Sequence, residues 1–103
     1  AERRLRRALE REPALDNARL QLASLLAQGR REDEAERVLR AGLAQAASAG
    51  ELHFALGLLA GQRQRWEEAA RELRIADALL PGHPRVRRNL EAVERYLRQT
   101  RPR

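Results

Sequence analysis

The sequence repeats itself with a 34-residue period, and this period limits the possible folds more than any other feature of the chain. Most of the repeated positions hold small or aliphatic residues. A fixed period of this length is typical of stacked helical units, each of which buries its apolar face against its neighbours. The sets that match at this spacing, or at twice this spacing, are Ala1, Ala35 and Ala69; Leu5, Leu39 and Leu73; Ala8, Gly42 and Ala76; Leu22 and Leu56; Ala23 and Gly57; and Pro13 and Pro81.

Apolar residues recur every three or four positions in six segments, which predicts six α-helices and an all-α fold. No segment has the alternating pattern of a strand. Asp16 is the expected N-cap of the second helix, Gly29 is its expected stop, and Ser48 with Glu51 has the spacing of a capping box. In the second helix we expect a buried stripe of Ala18, Leu22, Leu25 and Leu26. The expected helices cover residues 1–12, 17–28, 32–46, 49–60, 66–80 and 84–99, the fourth following the capping box at Ser48.

The pattern resembles the tetratricopeptide repeat (TPR) family over essentially the whole chain. The residues that carry the resemblance are Leu56, Gly57, Trp66, Ala69, Leu73, Ala76 and Pro81. It implies a right-handed solenoid of helix-turn-helix repeats. The expected domain then consists of the second half of a repeat (1–15), two repeats (16–49 and 50–83), a capping helix (84–99) and a frayed tail (100–103). Because the chain does not begin with Met, we expect it to be part of a longer protein.

The first helix of each pair is apolar on two sides, which is more than packing on one side requires. At 100° per residue, Leu52, Leu56 and Leu59 form one stripe, whereas Phe54 and Leu58 lie roughly opposite. The resemblance implies that this second face lines a concave groove that binds peptide segments. Packing against a neighbouring helix is the alternative explanation. The predicted partner-binding residues are Asn17, Leu20, Ser24, Gln28, Glu51, Phe54, Leu58 and Gln62, with Arg85, Arg88 and Arg95 on the last helix.

The charges predict what such a groove would bind. The net charge is +6, and the segment 82–103 holds seven of the 21 arginines but only two acids. An apolar floor beside a basic wall suits an amphipathic helix or an extended segment with acidic residues or a free C-terminus. The Lys and Asn carboxylate clamp of some TPR proteins is not carried over, because this chain has no Lys.

Composition argues against several other classes of protein. The chain has no cysteine, no apolar run long enough for a membrane span and no targeting segment, and its compartment stays open. His53 and His83 have no metal-ligand spacing; packing is the expected role of His53, and capping or solvent exposure is expected for His83. Glu67 and Glu68 are neighbours that point apart and are expected to be helix N-terminal charges. We therefore expect no enzyme, no metal and no cofactor.

Two alternatives to a protein-binding scaffold remain. The first helix, with Leu5, Ala8 and Leu9 lacking a partner, can complete itself against a second copy or a longer array, which would make the domain a structural or oligomerisation module. A nucleic-acid-binding role is disfavoured, because only three aromatic residues are available for stacking. The arginine-rich, lysine-free composition reflects GC-rich coding and favours a bacterial source.

Overall fold

The structure, a computed structural model, describes residues 1–45 and 49–101, which form six α-helices and no strand. The all-α prediction is therefore confirmed for the described residues. None of these helices is long and apolar enough to cross a membrane. The helices are α1 (Glu2–Arg11), α2 (Asp16–Gln28), α3 (Glu32–Leu43), α4 (Ala49–Gln62), α5 (Trp66–Leu79) and α6 (Pro84–Thr100).

Each helix packs against the next one along the chain, and α2 also contacts α4. Contacts between the start of one helix and the end of the next show that the pairs are antiparallel. The guanidinium of Arg19, near the start of α2, donates to the carbonyl of Val38 in the second half of α3 at 3.0 Å. In the α4–α5 pair, Gly50 meets Leu80, whereas Gly57 meets Leu73. The result is an elongated molecule of 50 × 29 × 20 Å.

The turns that join α2 to α3 and α4 to α5 are the same structure, and they lie exactly one sequence repeat apart. In the first turn, Arg30 has a φ of 62°, and the amide of Arg31 donates to the carbonyl of Leu26 at 2.8 Å. In the second, Gln64 has a φ of 60°, and the amide of Arg65 donates to Ala60 at 2.8 Å. The period of the sequence is therefore also a period of the backbone.

The core consists of small and aliphatic side chains at the repeated positions. Ala35 and Ala69 are completely buried, and Leu39 and Leu73 are nearly so. Close packing of this kind depends on residues without bulk at the helix contact. A Cβ atom on Gly57 would lie 2.8 Å from Cγ of Leu73, which is too close for an ordinary contact.

Several local predictions are wrong. Leu15, not Asp16, is the N-cap of α2, and the Asp16 carboxylate, now inside the helix, is buried with no hydrogen-bond partner among the described residues. Gly29 follows the helix as expected, but its φ of −85° is ordinary, and Arg30 takes the left-handed conformation instead. Leu25 is 38% exposed, because no described helix packs on its side of α2.

The predicted helix bounds hold to within a few residues. α3 ends at Leu43, earlier than expected, whereas α4 begins at Ala49 as expected and continues past Ala60 through Gly61 to Gln62. Thr100, expected in the tail, is the last residue of α6. The capping box at Ser48, the expected end of α3 at Ala46 and the last two residues of the tail lie outside the described residues.

α1 is fastened to the rest of the molecule by ion pairs as well as by packing. Leu5 and Leu9 are not left without a partner, since both are half-buried against the core. Glu2 accepts from Arg31 at 2.7 Å, and Arg6 donates to Glu34 at 3.0 Å. Hydrogen bonds from Arg31 and then Arg6 lower the pKa of Glu2, and a hydrogen bond from Arg31 lowers that of Glu34.

A matched pair of substitutions in α4 tests the close helix contact. We expect Gly57→Ala to lower the free energy of unfolding by about 1–3 kcal/mol, because the new methyl group overpacks against Leu73. Gly61→Ala should raise it by up to about 1 kcal/mol, since its Cβ would meet only Trp66 at 3.6 Å and alanine favours the helix. Urea unfolding measures both, and effects of the same sign would contradict the proposed contact.

The ion pairs of α1 predict a dependence on pH. A carboxyl whose pKa is lowered on folding stabilises the fold above its unfolded pKa, and this effect is lost as the pH falls through the folded pKa. Glu34→Gln should therefore destabilise the protein slightly at pH 7, and this effect should fade as the pH falls from the unfolded value of 4.5 through the lower pKa of the folded state. Melting temperatures across this range, with the exposed Glu10→Gln as control, measure the difference. A constant difference would contradict the assignment.

Candidate protein-binding groove

The predicted site residues occupy corresponding positions on three helices. Asn17, Glu51 and Arg85 lie near the starts of α2, α4 and α6 and are separated by one repeat period each. Further along the same helices, three more sets of site residues are also one repeat period apart. They are Leu20, Phe54 and Arg88; Ser24 and Leu58; and Gln28 and Gln62. We call the surface formed by these eleven positions, including Arg95, the groove.

A cavity of about 230 Å³ lies between α2 and α4 and brings four of the predicted residues together. Leu20 and Ser24 line it from α2, and Leu58 and Gln62 line it from α4. Leu58 is 39% exposed, so part of its apolar surface remains open to solvent in this cavity. The remaining lining is mostly alanine and leucine, so this part of the groove has an apolar floor.

Amide side chains form one border of this cavity. The Gln62 side chain donates to the backbone carbonyl of Ala27 at 3.2 Å and so links α4 to the end of α2. Gln28 donates to the hydroxyl of Ser24 at 3.4 Å within α2. These bonds hold two exposed amides beside the apolar floor, where they can also bond to a ligand backbone.

Phe54 belongs to a separate cluster nearer to α6. Its ring lies 6.0 Å from the His83 ring at a tilt of 50°, and Cζ of Arg85 lies 5.4 Å from its centroid. The second distance is that of a cation–π contact. Phe54 is half-buried and packs against these two side chains, as the packing explanation of this residue requires. The structure thus divides the predicted apolar floor into two parts, Leu20 with Leu58, and Phe54.

The arginines of α6 differ according to the side on which they lie. Arg87 lies 3.5 Å from Asp77 on the side facing α5. Arg85, Arg88 and Arg95 are exposed on the groove side, and no carboxylate of the described residues lies within 4.0 Å of them. Their charge is not neutralised, so this end of the groove is positive.

Sequence reasoning missed Tyr96. It is 43% exposed, and its ring lies 4.9 Å from that of Trp66 at a tilt of 50°. The signal was present, because Tyr96 lies one repeat period after Gln62 and so continues the row of Gln28 and Gln62 onto α6. A second exposed apolar pair, Ile75 and Leu79 on α5, also lies outside the predicted set.

The two histidines and the Glu67–Glu68 pair lie outside the groove set and make local structural contacts or lie at a helix start. His83 is the N-cap of α6, and its Nδ1 accepts from the amide of Val86 at 3.4 Å, as the capping prediction requires. Nδ1 of His53 lies 2.7 Å from a carboxylate oxygen of Glu72, a partner that the sequence did not indicate. Glu67 and Glu68 lie in the first turn of α5 as expected. Residues 1–45 and 49–101 contain no group of three or more potential metal ligands.

Comparison with known proteins leaves the groove to be interpreted from its own geometry. No model of a known protein family matches the chain, and no curated protein matches it significantly. What the site offers is an apolar floor, exposed amides on one border and unpaired arginines at one end.

Proposed function

We propose that this domain is a non-catalytic protein–protein interaction scaffold. Its six helices form a right-handed solenoid of TPR-like repeats, and its groove binds a peptide or helical segment of a partner protein. The bound segment carries apolar side chains for the floor and acidic residues, or a free C-terminus, for the arginines of α6.

One observation carries this proposal. The partly exposed Leu58 lines the cavity between α2 and α4, and the three arginines of α6 at the predicted site positions have no acidic partner among the described residues. Burying Leu58 under an apolar side chain of the ligand removes its remaining surface from water. Ligand carboxylates supply the charges that the arginines lack, and guanidinium groups bind carboxylates through two parallel hydrogen bonds.

The preformed backbone of the groove also favours binding. α2 and α4 contact each other directly, and the Gln62–Ala27 hydrogen bond links them. A surface that is ordered before binding loses little conformational entropy on association. The ordering cost then falls mainly on the ligand segment.

Nucleic acid is the competing ligand for the arginines. It would contact Arg85, Arg88 and Arg95 through phosphates, with affinity that falls steeply as salt increases. Against it stands the scarcity of stacking surfaces, since Phe54 packs on His83 and Arg85 and Tyr96 packs on Trp66.

The floor of the groove is tested by replacing its most exposed apolar residue. We expect Leu58→Asp to abolish capture of the partner segment while leaving helicity intact, because a buried charge without a partner opposes binding. Leu79→Asp is the matched control, since Leu79 is 50% exposed but lies on α5. The measurement is affinity capture read by mass spectrometry, with circular dichroism to confirm folding. The double substitution Phe54→Asp with Leu58→Asp should behave as Leu58→Asp does, and capture that survives it would exclude the groove.

The basic end is tested by charge reversal. Arg85→Glu, Arg88→Glu and Arg95→Glu together should weaken partner binding by about tenfold or more and should remove most of its salt dependence. The matched control reverses the charge of three other exposed arginines, which lie at equivalent repeat positions on α1, α3 and α5. They are Arg3, Arg37 and Arg71. In a second experiment, fluorescence anisotropy measures the binding of single-stranded RNA to the same proteins. Retention of RNA at physiological salt, lost only in the groove variant, would favour the nucleic-acid function instead.

A further inference from the structure

The cavity between α2 and α4 has the size of one large aromatic side chain. Its volume is about 230 Å³. An apolar cavity of roughly 150 Å³ binds a single benzene ring, whereas pockets for drug-sized ligands begin at roughly 300 Å³. The cavity therefore has room for more than one six-membered ring but not for a large ligand molecule.

The wall of this cavity is apolar and belongs to the core. Ala35 and Leu39 line it from α3 and are almost completely buried, as is Leu59 of α4. Side chains packed in a core do not readily collapse into a neighbouring space, so the cavity is preformed. None of its lining residues is charged, and a charged ligand group would therefore be buried without a partner. The charge of the site favours a neutral, apolar occupant.

One hydrogen-bond acceptor lies on the border of the cavity. The side chain of Gln62, which lines it, donates from Nε2 to the backbone carbonyl of Ala27 at 3.2 Å. Because a carbonyl oxygen can only accept, this bond fixes the orientation of the amide and leaves Oε1 as an acceptor. No donor of residues 1–45 and 49–101 is bonded to this oxygen. An occupant with a single N–H or O–H group matches this border.

The next repeat shows which ring the fold accommodates beside these positions. Gly61 and Tyr96 lie one period after the two residues of this hydrogen bond. Both are next to the indole of Trp66, since the Tyr96 ring lies 4.9 Å from it and a Cβ atom on Gly61 would lie 3.6 Å from it. The counterpart of Trp66 is Glu32, and no lining residue of the cavity is aromatic. The chain thus supplies an indole in one repeat and none in the other.

We propose that the cavity between α2 and α4 binds the side chain of a tryptophan in the partner segment, with the indole N–H donating to Oε1 of Gln62. A buried indole needs a partner for its N–H, and tryptophan is enriched among the residues that contribute most to protein interfaces. Phenylalanine would leave the acceptor unpaired, and tyrosine would fill less of the cavity. This inference rests on the proposed function of the groove, because it specifies which side chain anchors the bound segment.

The hydrogen bond is tested with indole and 1-methylindole, because only indole carries an N–H donor. Each probe is titrated into the full 103-residue chain, and the NMR shifts of leucine methyl groups report binding. We expect saturable shifts at Leu39, Leu58 and Leu59, and a dissociation constant for indole roughly two- to tenfold lower than for 1-methylindole. Gln62→Leu should remove this difference, whereas Gln62→Glu, which keeps an acceptor, should preserve it.

Filling the cavity tests its location. Ser24→Leu should weaken indole binding by about tenfold or more, because the larger side chain occupies the space that Ser24 borders. The fold accommodates leucine at this repeat position, since its counterpart is Leu58. Gln21→Leu is the matched control, because it adds the same side chain to an exposed position of α2 that does not line the cavity. Thermal unfolding confirms that both variants fold.

Three results would overturn the tryptophan site. They are the absence of saturable shifts with indole, equal losses for Ser24→Leu and Gln21→Leu, and a captured segment that binds at full strength after its tryptophan is replaced by alanine. The last result would leave the groove function intact, provided that capture still depends on Leu58. Conversely, indole binding by a chain that captures no partner segment would contradict the proposed function and not the indole site.

Discussion

The close contact between the two helices of each pair is the constraint on which the other features of the structure depend. Gly57 lies against Leu73 with no space for even a methyl group, and alanine occupies the same position in α2. Because the helices approach so closely, their small residues are completely buried and their large side chains are directed to the sides. On α6 the equivalent position holds Glu91, a larger and charged residue that does not allow the same close contact with another helix.

Ion pairs between successive helices also limit how these helices are oriented relative to one another. Arg63, just after the end of α4, donates to Asp33 at 2.7 Å and to Glu36 at 3.1 Å, both on α3. The hydrogen bond from Arg63 lowers the pKa of Asp33. Glu72 on α5 joins His53 of α4 to Arg40 of α3. Exposed pairs such as Arg63 with Asp33 contribute little stability individually, but each limits how one helix rotates on another.

The two ends of the molecule differ in a way that the internal repeats do not. α6 presents polar groups where the internal helices have small residues, whereas α1 presents alanine and leucine where the internal helices are covered. The groove lies between these ends, and the unpaired arginines of α6 make one of its ends positive.

The sequence by itself determined the helices, their number and their close contacts, because helical spacing and the regular recurrence of small residues act locally. It also predicted that Leu58 and three arginines of α6 belong to one groove. Only the tertiary structure decided which apolar residues remain exposed. Leu25 and Leu59 have the same identity and the same place in the repeat, yet one is 38% and the other 6% exposed. The tertiary structure alone also shows that the Tyr96 ring packs on Trp66 and that the Glu72 carboxylate pairs with His53. The physical reason is that burial and charge pairing depend on neighbouring helices far away in the sequence, which local periodicity does not specify.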